Sequence, residues 1–183
     1  MIEVEVKARI NGFESIKKAL SEKGAQFIKS SDEIDIIFGI PKHLDSDHKV
    51  IEGGIIARIR QKDGKKILEF KEISREKGGV ELKCEIGDIE LIKKFLGKLD
   101  FEQAFTIKKL RETYSYNSFV ICLDDVAQLG TFIEIEKIVN SPDEKDAARK
   151  ACFELLNELL PNAEIENKKY GDLMQDIINH QSK

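Results

Sequence analysis

The sequence predicts an α+β fold in which antiparallel strands carry helices on their apolar faces. Three observations predict it. Charged and apolar residues alternate with period two in segment after segment. Turn signals such as Asp63-Gly64 separate consecutive alternating runs. A few intervening stretches space their apolar residues for a helix and end at Gly or Pro.

Segment 2–10 puts Ile2, Val4, Val6, Ala8 and Ile10 on one face and Glu3, Glu5, Lys7 and Arg9 on the other, which is a strand. Residues 12–23 switch to helical spacing through Phe13, Ile16, Ala19 and Leu20, with Gly24 as the stop. Short strands are expected near 25–29 and 34–38, then a long loop over 39–54 holding Pro41, His43 and His48. Strands follow at 55–62, 66–73 and 80–86, the last two separated by a charged stretch ending in the Gly78-Gly79 turn. Asp88 caps a helix over 89–99. Three more strands fall at 105–116, 118–124 and 131–139. Ser141-Pro142-Asp143-Glu144 is a helix start with N-cap, first-turn Pro and capping-box Glu. That helix runs to Pro161, and a last one covers 171–179.

The chain has 183 residues, which suits a single domain over 1–183. The halves 1–79 and 80–183 each contain a charged alternating strand, a helix and a basic-x-basic strand, which suits either a duplication or chance resemblance. The 30 Lys+Arg nearly balance 34 Asp+Glu, for a net charge of −4, which argues against general nucleic-acid binding. Charged residues make up 35% of the chain, and no run reaches the ~18–20 apolar residues of a membrane span. The N-terminal segment lacks the basic and apolar regions of a signal peptide, so a cytoplasmic location is expected. Cys84, Cys122 and Cys152 show no metal or disulfide spacing. Cys84 and Cys122 read as packed core positions.

The polar faces of these strands carry acids and bases where Thr or Ser would be ordinary. Glu3/Glu5 and Glu134/Glu136 form acidic doublets, and Arg58/Arg60 and Lys109/Arg111 form basic ones. At a period of two, each doublet points one way from its strand. If the sheet curls on itself, all four converge. Clustered carboxylates repel unless a cation sits among them, and hard oxygen donors suit Mg²⁺ or Mn²⁺. Guanidinium and ammonium groups suit phosphate oxygens. Together they suit a metal–polyphosphate complex; a lumen of internal salt bridges is the alternative.

Glu3-Val4-Glu5-Val6-Lys7 resembles the E-x-E-x-K signature of the CYTH superfamily, the triphosphate tunnel metalloenzymes. Arg58-Ile59-Arg60 is similar to that family's R-x-R strand, Phe70-Lys71 to its next Lys strand, and Lys109-Leu110-Arg111 to its K-x-R strand. Leu123-Asp124-Asp125-Val126 and the run Leu129 to Glu136 resemble its L-D-x-V…L-G-x-F-x-E-I-E block. The resemblance spans about residues 1–160. It departs where the family often has Ser-Tyr and this chain has Lys169-Tyr170.

The resemblance implies a closed eight-stranded antiparallel β-barrel, a tunnel with helices outside, that holds a linear triphosphate and Mg²⁺ or Mn²⁺. Carried over residue by residue, Lys7, Arg58, Arg60, Lys71, Lys109 and Arg111 contact phosphate. Glu3, Glu5, Asp124, Glu134 and Glu136 hold metal. Lys7, Arg60, Glu134 and Glu136 are the catalytic set. Glu81 and Glu85 add to the acidic wall or orient the bases. Glu69, Lys62 and Lys83 are expected in solvated or salt-bridged roles, and 168–180 as a lid or a surface helix. The implied activity is that of a class IV-type adenylyl cyclase or a triphosphate phosphohydrolase, on ATP, tripolyphosphate or thiamine triphosphate, by a monomer or homodimer. The alternative is a polyphosphate-binding module without catalysis.

Overall fold

The computed structural model describes residues 2–74 and 80–181, so the expected Gly78-Gly79 turn lies outside the described residues. The elements are β1 (Ile2–Ile10), α1 (Glu14–Glu22), β2 (Gln26–Gly39), β3 (Ile55–Lys62), β4 (Lys65–Glu72), β5 (Glu81–Glu85) and α2 (Ile89–Lys98). There follow β6 (Glu102–Tyr116), β7 (Phe119–Val126), β8 (Gly130–Val139), α3 (Lys145–Leu159), β9 (Glu164–Ile165) and α4 (Tyr170–Gln181). The strands form one antiparallel sheet in the order β5-β4-β3-β2-β6-β7-β8-β1-β9.

Two features correct the expected architecture. The described residues give nine strands rather than eight, because Glu164–Ile165 adds to the edge of β1 beside Ala8 and Arg9. Among the described residues the sheet is also not closed by hydrogen bonds: β5 and β9 stand at its two ends, and closure needs the end strands to pair. The two short strands expected near 25–29 and 34–38 are one continuous 14-residue strand. Among the described residues, no helix is long and apolar enough to cross a membrane.

The chain forms two compact units, Met1–Ser31 with Lys109–Lys168, and Asp32–Lys108 with Lys169–Lys183. In the first unit, Val6, Ala8 and Ile10 of β1 and Ile133 and Ile135 of β8 pack on Ile16 and Leu20 of α1 and on Cys152, Leu155 and Leu156 of α3. In the second, Ile36 and Phe38 of β2 and Ala57 and Ile59 of β3 pack on Leu96 of α2 and on Phe101. In β1, β2, β3 and β8 the apolar face is thus the face the helices cover, whereas β5 is exposed along its length. The charged face is the opposite one, and its placement follows from the period of two.

Local signals set the boundaries. Asp63 and Gly64 both have positive φ, the backbone that a two-residue hairpin between β3 and β4 requires. Gly24, at φ 77°, ends α1 where the backbone turns left-handed. The Asp88 carboxylate accepts a hydrogen bond from Leu91 N at 3.1 Å and caps α2. Ser141 and Glu144 form the expected capping box, in a short 3₁₀ turn that leads into α3.

Candidate functional site

In the first unit, register sets the charged face. Glu5 of β1 lies directly opposite Glu136 of β8, and Lys7 lies opposite Glu134. Cys122 of β7 opposes Glu134, and Arg111 of β6 opposes Asp124 of β7. This places Glu3, Glu5, Lys7, Lys109, Arg111, Asp124, Glu134 and Glu136 on one surface.

Arg111 organises that surface. Its Nε donates to Asp124 Oδ1 at 2.6 Å and its Nη2 to Asp124 Oδ2 at 2.5 Å, a two-pronged pair. The same Nη2 donates to Glu134, and Nη1 lies 3.6 Å from Glu136 Oε1. Burial opposes the guanidinium charge, but Asp124 and Glu134 outweigh it and hold Arg111 above the ordinary arginine pKa. Lys109 Nζ donates to the fully buried Asp124 at 3.2 Å. Lys7 lies 3.9 Å from Glu134, and burial pushes its pKa down against the pull of Glu134 and Glu5.

Glu3, Glu5 and Glu136 place one carboxylate oxygen each within 4.8 Å of one another. Glu3 and Glu5 are exposed and Glu136 is half-buried. Burial raises the pKa of Glu136 to about 7; Arg111 opposes the rise, and Glu3, Glu134 and Glu5 add to it. Around this point five carboxylates (Glu3, Glu5, Asp124, Glu134, Glu136) face three cations (Lys7, Lys109, Arg111). When all five carboxylates are ionised, the excess of two negative charges equals the charge of one divalent cation. Three converging hard-oxygen donors open to water fit Mg²⁺ or Mn²⁺.

The second unit carries a separate cluster. Arg60 grips Asp35 with two prongs, Nε to Oδ1 at 2.7 Å and Nη2 to Oδ2 at 2.6 Å. Arg58 Nε donates to Glu69 at 2.6 Å and its Nη1 to Asp35 at 3.3 Å. Lys62 pairs with the buried Glu33. Lys71 lies 3.2 Å from Glu81, and burial, then the Arg58 charge, pushes its pKa down. Lys83 bridges to Glu81 at 2.7 Å and Glu69 at 3.7 Å. Glu69, Lys62 and Lys83 thus take salt-bridged roles, and Glu81 sits beside the bases it was expected to orient. Glu85 is exposed on β5.

Three contributors escaped sequence reasoning. Glu33 and Asp35 lie opposite Lys62 and Arg60, and acid across from base is a register property. Glu166 pairs with Arg9 at 2.9 Å, from a segment with no period to read. One detail also differs from expectation. Cys84 is exposed on β5 rather than packed. Cys122 is buried, but on the charged face, with Sγ 3.8 Å from Glu136 Oε1. Burial raises its pKa to about 12, which disfavours the reactive thiolate. His43 Nδ1 accepts a hydrogen bond from Ile55 N at 3.2 Å, a structural role for a loop histidine.

A strand that pairs two glutamates with a lysine, opposite a second acidic doublet and beside a basic-x-basic strand, defines a class, and the comparisons supply the family. The CYTH domain model matches residues 1–169, and the chain belongs to the CYTH domain family. It is similar to a Methanocaldococcus jannaschii protein that carries the provisional name adenylate cyclase. The two are 32% identical over 179 residues, which is 94% of this chain and 98% of that protein. The Pyrococcus horikoshii OT3 protein PH1819 has a similar structure, with a TM-score of 0.77 at 26% identity over 96% of this chain and 99% of that one. A Hippeastrum protein, provisionally named an adenylyl cyclase and described as having a dominant triphosphatase activity, shares the fold. Its TM-score is 0.66 at 17% identity, over 96% of each chain.

Proposed function

We propose that this chain is a divalent-metal-dependent enzyme that acts on a triphosphate, as a class IV-type adenylyl cyclase or as a triphosphate phosphohydrolase. The observation that carries the reading is the Glu3–Glu5–Glu136 group, three converging carboxylates on the same surface as Lys7 and Arg111. Family membership and the 32%-identical relative support the same substrate class.

Glu3, Glu5 and Glu136 are the proposed metal holders, with Glu134 and Asp124 completing the acidic set. When bound, Mg²⁺ or Mn²⁺ neutralises charge on phosphate oxygens and favours deprotonation of the attacking hydroxyl. Lys7, Lys109 and Arg111 bind phosphate oxygens and stabilise the charge that builds there in the transition state. Arg58, Arg60 and Lys71 are assigned to phosphate on the same grounds. Asp124 and Asp35 fix the planes of Arg111 and Arg60, so these groups need little reorganisation on binding. Lys7, Arg60, Glu134 and Glu136 form the proposed catalytic set. In the hydrolase, the oxygen of water bonds to the terminal phosphorus, the bond from that phosphorus to its bridging oxygen breaks, the diphosphate end of the substrate leaves with that oxygen, and the attacked phosphoryl group becomes orthophosphate. In the cyclase, the ribose 3′-oxygen bonds to the α-phosphorus, the bond to the bridging oxygen breaks, and pyrophosphate leaves.

The test is product analysis with ATP, tripolyphosphate and thiamine triphosphate under Mg²⁺ and Mn²⁺. Cyclic AMP with pyrophosphate identifies a cyclase, and orthophosphate identifies a hydrolase. Ligand binding without turnover of any of the three would replace the enzyme reading with a binding module.

A further inference from the structure

We infer that a cavity in the second unit, walled by the 40–50 loop, the start of β6 and α4, binds the organic end of the triphosphate, an amino-substituted nitrogen heterocycle. This rests on the triphosphate reading above and narrows it to organic rather than inorganic triphosphates. The cavity measures about 420 Å³, a small-molecule size. Pro41, Leu44 and Ile178 supply apolar wall, and Gln103, Gln175 and Asn179 supply carboxamides, each both donor and acceptor. Among the described residues, no Lys or Arg lines it, while Asp47 and Glu102 do. That lining repels phosphate and suits a flat ring with an exocyclic amine.

The walls are tied together. Asn179 Nδ2 donates to Asp47 O at 2.8 Å, and Lys49 Nζ lies 3.3 Å from Asp176 Oδ1, so two links join the loop to α4. Gln175 Nε2 donates to Asn179 Oδ1 at 2.9 Å and orients that amide. Within the loop, Asp45 Oδ1 accepts from the backbone of Asp47 and of Lys49, each at 2.9 Å. His48, at the rim, holds a φ of 58°, a conformation that non-glycine residues adopt at some cost.

The cavity also lies where such a ligand would need it. Gly39 lines it and falls on the same face of β2 as Asp35. Ile37, two residues back and about 7 Å along the strand, is the partner of Arg58. Gly39 itself opposes Ile56, whose other neighbour is Lys71. A phosphate at Arg58 or Lys71 therefore leaves the organic end of the same molecule within reach of the cavity. The α4 wall lies beyond residue 169, where the family model's match ends.

The test uses two variants of the full chain at exposed β6 positions: Ala104→Phe fills the cavity, and Gln103→Leu removes one carboxamide. Steady-state kinetics on ATP, thiamine triphosphate and tripolyphosphate are paired with calorimetric titration of adenosine and of thiamine into the metal-free protein. The expected result is a rise of about tenfold or more in KM for one organic triphosphate, with tripolyphosphate changed by less than about twofold. The matching adenosine or thiamine binding is lost in Ala104→Phe, and which of the two is lost identifies the ring. Unchanged kinetics on both organic substrates overturn the inference and leave the enzyme reading standing; equal losses on tripolyphosphate also overturn it. If the wild type turns over nothing, the enzyme reading fails, and the titrations alone decide the cavity: binding of either ring, abolished by Ala104→Phe, supports it, and no binding overturns it.

Discussion

One guanidinium, that of Arg111, faces three carboxylates, and the fully buried Asp124 takes both its prongs. Replacing Arg111 with Met strips a buried carboxylate of its strongest partner. The expected loss is about 3–5 kcal/mol in denaturant unfolding, far above the ~0–1 kcal/mol of an exposed pair. A loss below about 1 kcal/mol would mean that the pair is not buried as described. Glu136 gives a prediction of opposite sign. Its folded pKa of about 7 lies above the ordinary 4.5, so the fold disfavours its charged form. Its contribution to stability is therefore present below pH 4.5 and is lost as pH rises through 7, by on the order of 3 kcal/mol in metal-free protein. Glu136→Gln removes that loss. In EDTA the variant should match the wild type near pH 4.5 and melt higher than the wild type at pH 8. A wild type that gains on the variant between those pH values would refute the placement of Glu136.

At the scale of elements, stability divides between caps and packing. Ser141→Ala removes the side-chain half of the capping box before α3 and should cost about 1 kcal/mol. Leu156→Ala, on the buried face of α3, should cost about 2–5 kcal/mol. If urea midpoints reversed that order, α3 would not be held by the apolar stripe seen here. Elements of this kind were the legible ones. The alternation in β1, β3 and β8 separated the apolar face from the charged one, and the doublets on the charged face identified the basic and acidic strands. Register was not legible, because a period of two fixes a face and says nothing of which residue lies opposite. Hence Arg58 and Arg60 were found, while Asp35, their shared counter-ion on β2, was not. Segment 25–38 read as two short strands because Lys29, Ser30, Ser31 and Asp32 interrupt its apolar alternation. β9 has two residues, too few for any period. The Glu3–Glu5–Glu136 group was legible as two doublets, but only the pairing of Glu5 with Glu136 shows which three oxygens meet.

For the whole molecule, the charge imbalance becomes a thermodynamic test that needs no turnover. A ligand that binds only the folded chain stabilises it by about 2.7 kcal/mol at one hundred times its Kd. For a chain of this size that is a rise of about 5–11 °C in melting temperature. The excess of two carboxylates around Glu136 predicts that Mg²⁺ or Mn²⁺ alone already raises Tm. The bases near them are held by Asp124 and Glu134, so tripolyphosphate alone should raise it less. Metal occupying the acidic group reduces the competition for Lys7 and Arg111, so the two together should exceed the sum of their separate shifts. Neutral salt at matched ionic strength controls for screening, which would weaken these ion pairs. Glu5→Gln should abolish the metal shift and the excess while leaving the metal-free Tm within about 2 °C, because Glu5 is exposed. Additive shifts in the wild type, or an undiminished metal response in Glu5→Gln, would place the cation away from Glu3, Glu5 and Glu136.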